Sequence, residues 1–438
     1  MRKQTWKATV SAAAIVATAI IPMAVNADTI EINGVTWTYT VNDATAKTVT
    51  LGGGTAGSGG SASNYAVASD IALTADDIPW TFTIGDDTYT VTKISSYAFE
   101  GHAKLTGTLT IPDSVTTIGE RAFQSCTGLT RLSGGNGVTR YYAYVFNNDS
   151  NMAGNYPDLS KVTSFDNGTF QFCNILTGHV TLCPTLTSIP SRLFYRNSIT
   201  SIDIPPSVTS IGSENVFRES KKLKAICVPG AVTGTTINPT SLFQSSSVLK
   251  TVFFGPTTKC SSGKLTAGSM LSSVSGCTVI VPRSGWDGLV TGGSSNPIVY
   301  YGPNDDFDLS LDASAKVITA VPNNGDGLVA ALNFADTFKT ELGYDTKITV
   351  TNAIDLTGVT ITEAMVADVT FNRLWFAVKT QAQLNGILDA FPAATEMAID
   401  PTGLTENLTV PEGRMIFVQA GGTYEIKKLK NGFVLIMK

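Results

Sequence analysis

His102 and His179 are the only imidazoles in the 438-residue chain, and they limit its chemistry at once. A three-histidine zinc site cannot be built within one chain, and a Ser-His-Asp hydrolase would have to use one of these two residues. His179 alternates with Val180 and Leu182 in a strand pattern, and His102 falls in register with a repeat, so both read as structural. No P-loop, HExxH or paired CxxC occurs. Gly52-x-Gly54-x-x-Gly57 matches a dinucleotide fingerprint only superficially, because no helical pattern follows it; the Gly/Ser-rich stretch from Gly52 to Ser63 reads as a loop. Asn304, Asp305, Asp306 and Asp308 offer oxygen ligands for calcium but lack EF-hand spacing, and read as a solvated linker. No catalytic, cofactor-binding or metal residue is assigned, and no cofactor is expected.

Lys and Arg number 30 against 35 Asp and Glu, a balance of −5, and no basic block is dense enough to track a phosphate backbone. Nucleic acid is therefore not an expected partner. With 43% apolar and 15% charged residues the chain is folded over most of its length, and has room for two or three domains of about 150 residues each. Arg2, Lys3 and Lys7 precede an apolar run from Ala8 to Val25, and Val25-Asn26-Ala27 supplies the small residues of a cleavage site. Residues 1–27 are expected to be a secretory signal. A membrane anchor is disfavoured, because the run is short for the ~20 residues a bilayer needs and contains Thr9, Ser11, Thr18 and Pro22. Removing its three cationic side chains moves the balance from −5 to −8 and leaves no expected membrane span.

An exported chain with six cysteines invites disulfides. Cys260 and Cys277, 17 residues apart in a Ser/Gly-rich stretch, are the pair most readily bridged. Cys126, Cys173, Cys183 and Cys227 read equally well as small buried hydrophobes.

The elements that position all these residues come from a repeat. Phenylalanines stand at Phe99, Phe123, Phe146, Phe170, Phe194, Phe217 and Phe243, with gaps of 24, 23, 24, 24, 23 and 26 residues. Five or six residues before each is a large apolar side chain: Ile94, Ile118, Tyr141, Phe165, Ile189, Ile211 and Ile237. After most of them Leu or Ile opens a strand pattern, as in Ile199-x-x-Ile202-x-Ile204-Pro205 and Leu223-x-x-Ile226-x-Val228-Pro229. Alternation requires one buried face, and the following Pro or Gly stops the strand. One unit cannot bury its apolar side alone, but units stacked ~4.8 Å apart turn the aligned positions into interior columns.

Ile111-Pro112-Asp113-Ser114-Val115-Thr116-Thr117-Ile118-Gly119-Glu120-Arg121-Ala122-Phe123-Gln124-Ser125-Cys126 and Ile204-Pro205-Pro206-Ser207-Val208-Thr209-Ser210-Ile211-Gly212 resemble the BspA-type, or Treponema-type, leucine-rich repeat of bacterial surface proteins. The likeness covers about Ile71 to Pro303. It implies secreted or cell-surface proteins associated with adhesion. The family's Cys three residues after Phe is kept as Cys126 and Cys173, while His102, Asp149, Ser220 and Ser246 hold that place elsewhere. Two coils apart, Cys126 and Cys173 are ~10 Å from each other, too far to bridge. An insertion, Asn147 to Asp158, interrupts the third unit.

The expected fold class is α+β with a solenoid: a right-handed leucine-rich-repeat array of short stacked parallel strands over 71–303. Residues 28–70 form an N-terminal β-hairpin cap with Trp37 and Tyr39 on one face, followed by the Gly/Ser-rich loop. From Asn304 the repeat is lost. Leu328, Leu332, Ala335, Phe338 and Leu342 share one helical face, as do Leu384, Ile387 and Phe391. Lys347 to Ile354, Leu374 to Val378 and Met415 to Gln419 read as strands and Lys430-Asn431-Gly432 as a hairpin turn. Residues 304–438 are thus expected to form a separate α+β domain.

The outward strand positions are Thr108, Thr110, His179, Thr181, Ser201, Asp203, Ala225, Cys227, Thr251 and Phe253, with Lys224 and Lys250 at one end. A secreted β-helix enzyme acting on polysaccharide would need converging carboxylates there, and Asp203 is the one carboxylate present. A non-enzymatic binding face for an extracellular protein or glycan is the preferred expectation, drawn over Thr108, Thr110, Thr181, Ser201, Asp203, Lys224, Lys250, Thr251 and Phe253. The alternatives are that enzyme, or a spacer presenting the C-terminal domain. Neither ligand nor oligomeric state is legible.

Overall fold

The computed structural model describes residues 27–438 except 55–63, 213, 232–233, 238–240, 261–264, 267–269, 287–289, 292–295, 341, 368, 393–395, 401, 404, 406–407, 410–414, 419–433 and 436–438. Residues 1–26 of the expected signal, Gly57 and the 430–432 turn lie outside the described residues.

Each coil of the array contributes two strands, one per side. On one side the two-residue strands Thr117–Ile118, Arg140–Tyr141 and Ser164–Phe165 stack in parallel on Asp87–Ile94. The same side continues with Ser188–Ile189, Ser210–Ile211, Thr235–Ile237 and Thr258–Cys260. On the other side run longer strands, among them Leu105–Ile111, Leu129–Gly134, Leu176–Thr181, Ser198–Asp203, Ala225–Val228, Thr251–Phe254 and Thr278–Pro282. Period-two alternation decides their faces: in Leu105–Ile111, Leu105, Leu109 and Ile111 are buried while Thr106, Thr108 and Thr110 are exposed.

Between the two sides the phenylalanines form one column. The rings of Phe99, Phe123, Phe146, Phe170, Phe194, Phe217 and Phe243 stack at 5.1–6.2 Å between centroids and within 15° of parallel. That is within the favourable range for offset stacking. The turns carrying these rings place non-glycine residues in the left-handed region two positions before and two after the ring, as at Tyr97 (φ 66°), Arg121 (54°) and Phe172 (61°). Such conformations are held only where the surroundings over-determine them. Here the next coil does so: Tyr97 N donates to Glu120 O and Phe99 N to Ala122 O, both at 2.7 Å. The glycines of the Ile118-Gly119 and Ile211-Gly212 pairs have a steric cause. A Cβ on Gly119 would lie 2.4 Å from Ser96 N, and one on Gly212 2.3 Å from Ser191 N.

The N-terminal strands Asp28–Ile32, Val35–Asp43 and Thr48–Leu51 form an antiparallel meander, one strand more than the expected hairpin, and Thr48–Leu51 pairs in parallel with Asp87–Ile94. Trp37, 1% exposed, meets the first ring of the column edge-on at 6.4 Å. The open end of the core is therefore covered as expected of a cap.

Beyond the array, Phe307–Asp312 and Val317–Pro322 form a hairpin, and the helix Gly325–Thr340 leads from it to Asp345–Thr349, parallel to Val317–Pro322. A second crossover repeats this: Trp375–Ala377, the helix Gln381–Ala390, then the parallel strand Glu396–Asp400. The Gln381–Ala390 helix begins at a capping box in which Thr380 and Gln383 satisfy each other's backbone N–H. Leu342 and Phe391, read as helical, fall just beyond their helices.

Two expectations need correction. Asn304 to Asp308 is a packed turn, not a solvated linker: Asp305 is paired with Arg283, and Asp306 accepts from Asn324 at 2.8 Å. Cys260 and Cys277 are not joined by a disulfide. Cys260 ends a strand on the short-strand side and Cys277 precedes one on the long-strand side, so the core lies between them.

Candidate functional site

The long-strand side has an open half and a covered half. In the strands from Leu105 to Asp203, Thr106, Thr108, Thr110, Arg131, Ser133, His179 and Thr181 are exposed and Ser201 and Asp203 half-buried. Parallel pairing brings them into rows: Thr108 beside Arg131, Thr110 beside Ser133, His179 beside Ser201 and Thr181 beside Asp203. From Ala225 onward the outward side chains are buried by the C-terminal unit. Its core includes Cys227, Phe253, Ile280 and Tyr301 of the array together with Phe307, Leu332 and Phe338. Phe253 is 0% exposed, 5.4 Å from the ring of Phe338 and 5.9 Å from that of Tyr301.

Thr251 and Phe253 therefore point outward as read from the sequence but are not on an open surface; they anchor the chain's own C-terminal unit. Ala225 and Cys227 share this fate. Burial pushes the Cys227 thiol up to about 12, and its neighbour Tyr344 is raised in the same way. Lys224 and Lys250, at the entry of their strands, remain exposed. The second core thus draws on the array itself, an arrangement invisible in a sequence whose periodicity stops at Pro303.

Where the open half meets the covered half, the ladder is interrupted. Ser198–Asp203 and Ala225–Val228 belong to different sheets, and a cleft of about 330 Å³ lies between the array and Lys316, Thr340, Leu342, Gly343 and Tyr344. Polar groups converge there. His179 Nδ1 is 2.8 Å from Ser201 Oγ, His179 Nε2 is 3.1 Å from Asp203 Oδ2, and Lys316 Nζ donates to Asp203 Oδ1 at 2.6 Å. Lys316 also sits 4.8 Å from the centre of the Tyr344 ring. Sequence reasoning named Ser201 and Asp203, treated His179 as structural, and missed Lys316 and Tyr344. No local signal could have found Lys316, which is 113 residues from its partner.

The Ser201, His179 and Asp203 side chains form the hydrogen-bond order of a hydrolytic triad, but the rest of that machinery is not built around them. A triad needs donors aimed at a developing oxyanion, and Ser201 sits mid-strand in a parallel ladder with Leu176–Thr181. Asp203, the one carboxylate among the described outward strand positions, is already engaged by a histidine and a lysine. The acid and base pair of a glycosidase is likewise not formed by the described outward residues. The arrangement can hold hydroxyl and amide groups of a ligand through Asp203, His179 and Lys316.

The sequence model described as BspA type leucine rich repeat region matches residues 82–176 and 155–262, in six copies. Among solved structures, a leucine rich cell surface protein from Faecalibacterium prausnitzii A2-165 is similar at 16% identity over 63% of this chain and 96% of that one, with a TM-score of 0.35. The T. pallidum leucine rich repeat protein shares 21% identity over 50% of this chain and 83% of its own, TM-score 0.30. The pneumococcal vaccine antigen PcpA shares 12% over 63% and 99%, TM-score 0.25. No curated protein matches the chain.

Proposed function

From the premise that residues 82–262 belong to the BspA-type leucine-rich repeat family, we propose that this protein is a secreted or cell-surface, non-enzymatic binding protein. Its ligand, an extracellular protein or glycan, lies across the open half of the long-strand face. One observation carries this reading: exposed hydroxyl side chains, Thr106, Thr108 and Thr110 on one parallel ladder and Thr181 on the next, are fixed on paired strands of one side and lead to the Asp203 cluster. A face whose side chains are already ordered binds without the cost of ordering itself. Export rests on the N-terminal 27 residues and on the family; among the described residues no helix is long and apolar enough to cross a membrane.

The test is a screen of the intact 28–438 chain against arrayed glycans and matrix proteins, with glycan and ester hydrolysis followed in the same wells. Binding without turnover is the expected result. A hydrolase is the second reading, favoured only by the Ser201 to His179 to Asp203 contacts. Turnover abolished by Ser201→Ala would establish it and sink the first.

A further inference from the structure

We propose that the third coil holds a notch for the acidic sugar residue of a glycan, with Arg131 as the group that takes its carboxylate; this rests on the binding role proposed above and specifies its ligand. The notch is made by the insertion. Neighbouring coils carry long strands of six or seven residues, but the third carries only Gly154–Asn155. The chain then turns inward, and Tyr156, 8% exposed, packs edge-on against Phe170 and Phe194 in the core. The 154–158 segment stays alongside Leu176–Thr181 but leaves the far side of Leu132–Gly134 uncovered, and a cavity of about 370 Å³ opens between the two.

Arg131 stands alone at this notch. Arg121, Arg140, Arg192, Arg196, Arg218 and Arg283, the other arginines of the array, each pair with a carboxylate, and all but Arg192 also lie over an aromatic ring. Among the described residues Arg131 has neither partner. An exposed guanidinium fork without a carboxylate suits bidentate capture of one from a ligand. Its lining companions, Ser133, Asn136 and Asn155, are hydroxyl and carboxamide groups that match the hydroxyls of a sugar ring. Asp158, on the same rim, accepts from Ser160 N at 2.9 Å, which lowers its carboxyl below the ordinary range and keeps it turned to its own loop.

The dimensions favour a sugar over an extended peptide. The notch is closed at one end, where Arg131 bridges to Ala153, and backed by the pairing of Gly154 and Asn155 with Leu176 and Thr177. A notch of this size, blocked at the Arg131 end, takes one ring with a protruding carboxylate more readily than a strand running its full length.

The experiment measures binding of the intact 28–438 chain to glucuronate- and sialate-terminated oligosaccharides, beside the same oligosaccharides with the carboxyl reduced to an alcohol. Expected are preference for an acidic probe by about tenfold or more, loss of that preference in Arg131→Gln, and partial retention in Arg131→Lys. Asn155→Ala should weaken acidic and reduced probes alike. Equal affinity for acidic and reduced probes, or unchanged preference in Arg131→Gln, would overturn the notch while leaving a binding role intact. A short acidic peptide that displaces the sugar and depends on Arg131 would overturn the ligand class. Failure to bind any probe, glycan or protein, would remove the binding role as well.

Discussion

Asp149 is the residue at which this fold departs most from its own rule. The third position after each phenylalanine is a buried column, and at three of its places the side chain donates to the phenylalanine carbonyl of the preceding coil, whereas Ser220 Oγ makes no hydrogen bond among the described residues. Cys126 Sγ donates to Phe99 O at 3.0 Å, Cys173 Sγ to Phe146 O at 3.1 Å and Ser246 Oγ to Phe217 O at 2.8 Å. A thiol or hydroxyl has the proton this requires; a carboxylate does not. Asp149 is 0% exposed, and no salt bridge reaches it among the described residues. Burial pushes its carboxyl well above the ordinary range, with the nearby Cys126 amide opposing this only in part. The folded-state pKa is raised, so the proton is bound more tightly in the folded chain. The stability this group contributes is fully present below the unfolded value near 3.9 and is lost as pH rises toward the folded one. Asp149→Ser should therefore be more stable than the parent at neutral pH, with an advantage that grows by about 1.4 kcal/mol per pH unit above pH 4 until the folded pKa is reached. Urea unfolding of both proteins across pH 4 to 8 measures it, and a difference independent of pH would show that Asp149 is not held protonated. The column was legible from register alone, but its demand for a donor was not, because side-chain to carbonyl bonds between coils leave no trace in spacing.

At the scale of the element, the phenylalanine turn holds the array together. Its period was plain in the sequence, as were the alternating long strands and the Ile-Gly pairs. The left-handed residues flanking each ring were hidden, because Tyr, Arg and Phe occupy a conformation normally signalled by glycine. Phe170 is enclosed between the rings of Phe146 and Phe194 and by Tyr156. Phe170→Ala should cost about 3–5 kcal/mol, read as a shift in the urea midpoint; a loss below 1 kcal/mol would mean that the column can collapse around the gap. Gly119→Val should also destabilise the chain, since its first added carbon would lie 2.4 Å from the Ser96 backbone nitrogen. The truncated third strand was visible as an insertion, but not the notch. Arg131 is an outward residue of the Leu129-x-x-Leu132 pattern, which gives its face and not the vacancy beside it.

For the whole molecule, the main departure from the sequence reading is that the array carries a docked C-terminal unit on one half of its long-strand side. The helices and strands of that unit were read from the sequence, but not the parallel pairing of the strands. Nor was their destination, because Phe253 in a strand looks the same whether it faces solvent or Phe338. The apolar contact, not the charged one, holds the two parts together. Phe253→Ala should cost about 3–5 kcal/mol, whereas Lys316→Ala should cost about 1 kcal/mol or less, since Lys316 and Asp203 are 39% and 38% exposed. Thermal or urea unfolding of the two variants decides between these contributions, and equal losses would mean that the ion pair is the real clasp. The spacer reading weakens for the same reason, because the unit is packed against the array instead of being held away from it. What stays open is the face from Leu105 to Asp203, and its role in binding is most directly tested by the double variant Thr108→Glu, Thr181→Glu in the intact 28–438 chain. Both positions are exposed and tolerate the change. For whichever glycan or matrix protein the parent chain retains, affinity should fall about tenfold or more with unchanged thermal stability. Unchanged affinity would place the binding surface elsewhere and contradict the central claim.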